Sequence, residues 1–208
     1  MEPKFTVSET FKTGWKCTKS QIWILAGLLI GYLILSFTLS IFGMPFKDEL
    51  IGGAIVSIIS ILFSIVFSLG YLKNIFQTLD GEEPQFSAYG QQSKNIINYF
   101  CASIIMTIAV TIGLVLLVIP GIYVLLRLQF FQAFIVEEHA GIMESLKKSW
   151  AITEGQFIPL LLVGLLYIGI IIVGFILFGI GLFVAYPLIY LMYAYVFRQL
   201  NTPLQIIE

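Results

Sequence analysis

The chain has 208 residues, 59% hydrophobic and 11% charged, with a formal net charge of −1 and a mean hydropathy of +0.97. A soluble domain carries about 25% charged residues, so this composition excludes an ordinary water-soluble core and requires a bilayer as solvent. The near-zero net charge excludes the basic character that would recruit nucleic acid.

The first predicted element is an amphipathic helix over Glu9–Gln21. Phe11, Trp15, Thr18 and Ile22 share one arc of it, and Glu9, Lys12, Lys16 and Lys19 another. An apolar face with tryptophan beside a lysine face is the pattern of a helix lying in the membrane interface. It leads into the first of six predicted transmembrane helices, Ile22–Phe42, too long for a signal-peptide core and without a small-residue cleavage site. The others are Leu50–Phe76, Ile96–Ile119, Ile122–Val136, Phe157–Phe178 and Ile180–Phe197. The runs 96–136 and 157–197 would each be about 60 Å long as straight helices. Each must fold back, and Ile119-Pro120-Gly121 and Gly179-Ile180-Gly181 are the predicted breaks. The fold class is therefore all-α: a polytopic membrane helix bundle in one integral membrane domain, 1–208.

The opening helix recurs. Glu9, Lys12, Trp15, Thr18 and Gln21 match Glu144, Lys147, Trp150, Thr153 and Gln156 at one offset. Gly121-Ile122-Tyr123-Val124 likewise matches Gly181-Leu182-Phe183-Val184, which makes Phe86–Asn95 a degraded middle copy. The pattern predicts a threefold parallel repeat with approximate units 5–80, 84–138 and 140–200, each a short in-plane amphipathic helix followed by a hairpin.

Lysine and arginine placement predicts the orientation. Lys4, Lys12, Lys16 and Lys19 precede the first span, Lys73 and Lys94 flank the second connection, Lys147 and Lys148 the fourth, and Arg198 follows the sixth span. Only Lys47, beside Asp48 and Glu49, falls on the other side. Both termini are expected in the cytoplasm, where Cys17 and Cys101 stay reduced. Lys12, Trp15, Lys16, Lys19, Lys147, Lys148 and Trp150 are the predicted membrane-interface residues.

Small and hydroxyl residues stripe the spans: Gly53, Ser57, Ser60, Ser64 and Ser68; Ser103, Thr107 and Thr111; Gly27-x-x-x-Gly31; Gly164, Gly169 and Gly174. Close helix packing is the expected role. Arg127, inside the fourth predicted span, has no acidic residue at similar depth and is the leading functional residue, because an intramembrane charge is costly. Its expected partners are Tyr167, Tyr186, Tyr190 or Tyr193, backbone carbonyls freed near Pro120 or Pro187, or a bound anion such as a lipid phosphate. Arg127, Gln129, Tyr186, Tyr190 and Tyr193 form the predicted ligand-binding set.

His139, the only histidine, follows Glu137 and Glu138 without metal-ligand spacing. No nucleophile elbow, phosphate loop or zinc-protease motif occurs. No catalytic residue, metal or cofactor is expected, and the protein is expected not to be an enzyme.

Pro120-Gly121-Ile122-Tyr123 leading to Arg127, then Glu138, then Glu144-Ser145-Leu146-Lys147-Lys148-Ser149-Trp150 through Thr153 and Gly155, resembles the membrane domain of glycerophosphoryl diester phosphodiesterases and related bacterial six-span proteins. The resemblance runs from about Ser8 to Phe197 and implies a bacterial cytoplasmic (inner) membrane location and a six-helix bundle with in-plane helices. Some members carry a soluble phosphodiesterase domain after the spans. This sequence closes soon after Arg198, so that activity is not expected here. The expected function is to bind or transport a lipid or other amphiphile, with membrane lipids as partners. The alternative is an accessory or scaffold subunit docking another membrane protein through its amphipathic helices.

Overall fold

Thr6 starts the first helix. Its hydroxyl accepts the Glu9 N–H at 3.2 Å and donates to the Glu9 carboxylate at 2.9 Å, supplying a partner for an amide that a helix start leaves unpaired. The computed structural model describes residues 3–46, 49–177 and 179–202, and these contain helices but no strand. The helices are α1 (Val7–Gly43), α2 (Leu50–Leu79), α3 (Ser87–Gln91), α4 (Ile96–Leu116), α5 (Val118–Leu128), α6 (Phe131–Glu138), α7 (Ile142–Ile152), α8 (Phe157–Ile176) and α9 (Leu182–Asn201), with 3₁₀ turns at Met44–Phe46 and Gln92–Asn95. Lys47 and Asp48, used above for orientation, and Phe178, the last residue of the fifth predicted span, lie outside the described residues.

Among the described residues, five stretches are long and apolar enough to cross a membrane: Val7–Phe46, Leu50–Leu79, Ser87–Leu116, Val118–Glu138 and Phe157–Ile176. Helix α9 matches α8 in length, but with four tyrosines, Pro187 and Arg198 it is not one of the five. It is also the inner helix, packed against α1, α2 and α8, so its polar atoms face protein. The outer halves of α1 and α2, by contrast, expose large apolar side chains such as Phe37, Phe42, Leu50 and Ile51. The core lies at the opposite end, where α2, α6 and α9 converge. Phe197 meets Phe134 at 5.0 Å, Phe76 at 5.6 Å and Phe130 at 6.1 Å between ring centroids.

Several boundaries differ from those predicted. The α4–α5 reversal falls at Leu117, whose backbone is extended (φ −162, ψ 145), and not at Ile119-Pro120-Gly121. Pro120 instead occupies the first turn of α5, where a missing N–H costs nothing because that amide has no partner within the helix. Gly121 serves the packing: a Cβ on Gly113 would stand 2.8 Å from the Gly121 Cα. The α8–α9 reversal falls at the predicted glycines, with Gly179 at φ +77 and a Gly181 Cβ position 2.8 Å from the Gly174 Cα. The fourth predicted span is two helices, broken at Gln129–Phe130.

Gln21 leaves helical geometry inside α1 (φ −128, ψ 18), and Gln156 does so before α8 (φ −107, ψ 20). In the turns before these breaks, Thr18 donates to the Gly14 carbonyl at 2.7 Å and Thr153 to the Ser149 carbonyl at 2.8 Å. The amphipathic segments do not lie apart from the bundle. The Lys4 ammonium reaches the Leu200 carbonyl while Gly14 abuts Met192, so the first half of α1 runs antiparallel to α9. Lys148 meets Glu138 while Ser149 meets Phe130, so α7 runs antiparallel to α6. Gln85 meets Asn74 while Tyr89 abuts Gly70, so α3 and the residues before it run antiparallel to α2. The small residues Thr10, Gly14 and Thr18 form the packed face, and Trp15 stands at its edge.

Candidate functional site

The break at Gln129–Phe130 frees backbone groups that the interior must satisfy. Ser149 does most of this. Its hydroxyl accepts the Phe130 N–H at 3.0 Å and donates to the Arg127 carbonyl at 2.9 Å, and the Thr153 hydroxyl oxygen lies 3.2 Å from the same carbonyl. The Tyr193 hydroxyl donates to the Gln129 carbonyl at 2.9 Å. The last turn of α5 is thereby fixed from α7 and α9, and the orientation of the Arg127 side chain with it.

Arg127 is only 5% exposed. Its guanidinium lies 4.5 Å from the Trp150 ring centroid and 5.7 Å from that of Tyr123, and Tyr123 meets Trp150 edge-on at 5.9 Å. The Arg127 Nε is buried without an acceptor, and no carboxylate pairs with the guanidinium among the described residues. The predicted tyrosine partners stand elsewhere. Gln129, Tyr190 and Tyr193 line a cavity of about 180 Å³ with Gln132 and Tyr167. Tyr186 donates to the Tyr190 hydroxyl at 3.2 Å and faces a separate groove with Tyr32 and Phe67. Arg127 is joined to this group through backbone carbonyls, not through its cation. Sequence reasoning passed over Tyr123 as a partner, although four-residue spacing places it on the Arg127 face of one helix.

A second polar cluster ties the core end together. Glu137, 12% exposed, accepts from Lys73 at 2.9 Å and from Arg198 at 2.6 Å, and Arg198 also reaches Asp80 at 2.8 Å. Beside it, buried Asn95 donates to the Ile135 carbonyl at 3.1 Å and Gln92 to the Val136 carbonyl at 3.2 Å, occupying the free carbonyls at the end of α6. The Asn95 amide nitrogen also lies 2.9 Å from His139 Nδ1. His139 takes the left-handed conformation (φ 52, ψ 33) that ends α6. No group of three or more metal-ligating side chains occurs among the described residues. Burial pushes the Cys17 thiol up, opposed by Lys16, which disfavours a reactive thiolate.

The predicted interface residues divide into two corners. At the first, Trp15 stacks on Phe11 at 6.3 Å, and the Lys19 ammonium lies 5.4 Å from the Trp15 ring. Beneath Phe11 and Trp15 is a groove of about 580 Å³ walled by α8 and α9. At the second, Trp150 covers Arg127, and Lys148 bridges Glu138 at 2.8 Å and Glu144 at 2.7 Å. Those hydrogen bonds hold the Lys148 ammonium above the ordinary lysine range and, with the Gly141 amide, the Glu144 carboxyl below its own. Lys147 carries no ion pair among the described residues. The Gly27-x-x-x-Gly31 motif does not mediate a close helix contact: a Cβ at either glycine would meet nothing within 4 Å, and both line an open groove of about 490 Å³ with Phe86 and Tyr89.

No curated protein and no solved structure matches the chain. Residues 50–208 match the family model described as a domain of unknown function, DUF7847, a stretch that includes Arg127, its two aromatic partners and the charged cluster. The chain belongs to the DUF7847 family.

Proposed function

We propose that this is a non-enzymatic six-span protein of the bacterial cytoplasmic membrane, with both termini cytoplasmic, that binds the acidic headgroup of a lipid or other anionic amphiphile at Arg127. One observation carries the reading: an arginine 5% exposed, its guanidinium faced by two aromatic rings, with a buried Nε that has no acceptor. Removing a cation from water costs several kcal/mol, and a desolvated cation–π contact offsets only about 2 kcal/mol. A phosphate oxygen would supply both the missing charge and the missing acceptor, and arginine favours such bidentate partners.

A parallel threefold repeat is part of this proposal. Each amphipathic segment runs antiparallel along the second span of another unit: α1 along α9, α3 along α2, α7 along α6. One charged residue per unit, Lys73, Glu137 and Arg198, meets at the centre. Thr10, Gly14 and Thr18 are buried as are their counterparts Ser145, Ser149 and Thr153, and Trp15 and Trp150 are each 38% exposed. This arrangement gives the Trp150 corner a buried cation, whereas the cation at the Trp15 corner, Lys19, is exposed.

The test is native mass spectrometry of the protein extracted in mild detergent. Wild type is expected to retain an acidic lipid that Arg127→Ala releases, with Arg127→Lys intermediate. Equal lipid retention by wild type and Arg127→Ala would refute the site.

A further inference from the structure

The two Trp corners differ in what lies beneath the ring. At Trp150 the space is filled by Arg127 and Tyr123. At Trp15 it is open. The groove there runs along α8 from Leu166 to Leu177 and along the first turns of α9, with Phe11 and Trp15 at one end. The steps from Leu166 to Leu177 span about 16 Å at helical rise, close to one leaflet of a hydrocarbon core of about 30 Å. Its volume of about 580 Å³ falls within the range of about 300–1,000 Å³ typical of small-molecule sites. Gly169 keeps it open, since a Cβ there would meet nothing within 4 Å.

The charge at the aromatic end selects the occupant. Lys12, Lys16 and Lys19 are exposed and make no ion pair among the described residues, and the Lys19 ammonium already lies over Trp15. An apolar slot one leaflet long, with the Lys19 ammonium over the ring at its aromatic end and the exposed Lys16 next to Trp15 in the chain, complements a molecule with a hydrocarbon tail and an anionic head. We propose that this groove holds one acyl chain of an anionic phospholipid, whose phosphate is taken by Lys16 and Lys19. The site shares no residue with the Arg127 site. It rests on the membrane setting of the functional reading but not on Arg127 binding anything.

The experiment uses the full chain in phosphatidylcholine nanodiscs that contain a small fraction of phosphatidylglycerol bearing a photoreactive group on one acyl chain. Crosslinks are mapped by peptide mass spectrometry, and phosphatidylcholine with the same label is the reference. The phosphatidylglycerol probe is expected to label 166–177 and 184–188 at least fivefold more than the reference does. Gly169→Leu, which fills the slot and raises helix propensity, is expected to remove that excess while labelling of α4 persists. Gly169→Ala is expected to keep it. Lys16→Gln with Lys19→Gln is expected to bring the two probes to equal labelling. Arg127→Ala is expected to leave groove labelling unchanged, so loss of headgroup binding at Arg127 and loss of chain binding in the groove are read separately. Equal labelling of the wild type by both probes overturns the proposal. So does excess labelling that survives in a folded Gly169→Leu protein, or a groove occupied by a second copy of the chain or another protein.

Discussion

The Trp15 and Trp150 corners are written in nearly the same residues and do different things. In both, a capped helix with a face of small residues packs on a neighbour, and the chain leaves helical geometry at a glutamine before the next apolar helix, directly at Gln21 in one and after the turn 153–155 at Gln156 in the other. The difference is set by the partner helix and by one position in the two matching segments. Gly14 lets α1 close onto the unbroken helix α9, where an added Cβ would stand 2.5 Å from the Met192 Cγ. Ser149, its counterpart, faces the break between α5 and α6 and supplies the donor and acceptor that the break requires. The comparison teaches that two segments of like sequence can share a packing geometry while a single polar residue decides where backbone can be irregular. Irregular backbone is what places Arg127 under a tryptophan.

Exchanging the two residues should break the comparison most strongly. Ser149→Gly leaves the buried Phe130 N–H without an acceptor and puts glycine inside α7. The expected loss is roughly 2–3 kcal/mol, from an unsatisfied buried group plus lost helix propensity. Gly14→Ser forces the Met192 side chain aside and should cost about 1–2 kcal/mol by overpacking. Thermal unfolding in detergent should rank Ser149→Gly below Gly14→Ser and both below wild type. If Ser149→Gly matched wild type, the capping role would be wrong.

A smaller effect should separate the tryptophans. Trp150→Ala removes the nearer ring from Arg127, worth about 1–2 kcal/mol when desolvated. Trp15→Ala removes an exposed contact with Lys19, worth about 0.5–1 kcal/mol. The sharper reading is chemical. The chain has two arginines, Arg127 and Arg198, so modification by an arginine-specific dicarbonyl can be assigned by mass. Arg127 should react slowly in wild type and in Trp15→Ala, and at least tenfold faster in Trp150→Ala, with Arg198 as internal reference. Equal Arg127 rates in all three proteins would contradict the stacked geometry.

Much of this was legible in the sequence where chemistry is local. The matched segments Glu9–Gln21 and Glu144–Gln156 end at the two glutamines that leave helical geometry, but the Thr6 cap and the breaks themselves were not among the expectations. The Gly179–Gly181 reversal was legible, because it depends on residues within one turn. Proline misled at Pro120, since its missing amide is as well suited to the start of a helix as to an interruption. The break at Gln129–Phe130 carries no glycine or proline. It is stabilised by Ser149 and Tyr193, from helices about 20 and 64 residues away, and no local pattern announces it. The Arg127 environment was illegible in the same way. Of the tyrosines with the attractive spacing, Tyr190 and Tyr193 turn to their own cavity and Tyr186 to a separate groove, and the ring that covers the cation arrives on α7. The Gly27 and Gly31 pair has the motif of a close contact but lines open space, so spacing alone did not decide its partner.

The smallest expected difference between the corners is their response to acid. The Trp150 corner carries the Glu138–Lys148–Glu144 bridge, whereas Lys12, Lys16 and Lys19 beside Trp15 have no ion pair among the described residues. Lys148, then the Gly141 amide, hold the Glu144 carboxyl below its ordinary range. A carboxyl lowered by folding stabilises the folded state fully above its unfolded value, about 4.3 for glutamate. That contribution fades as pH falls through the lowered folded value. Lys148 is raised by Glu138 and then Glu144, so its contribution is complete below the unfolded lysine value of about 10.4 and fades as pH rises through the raised folded one. Both contributions are therefore present between about pH 5 and pH 10. All three groups are at least partly exposed, so the effect belongs to local opening of α7 and not to global unfolding. Hydrogen-exchange protection of α7 amides, referred to the intrinsic rate at each pH, should fall below about pH 4, while protection over 7–20 holds. In Lys148→Met, α7 protection should already be low at pH 7 and should not fall further with acid. Parallel loss at both helices would mean that the acid response comes from elsewhere in the bundle.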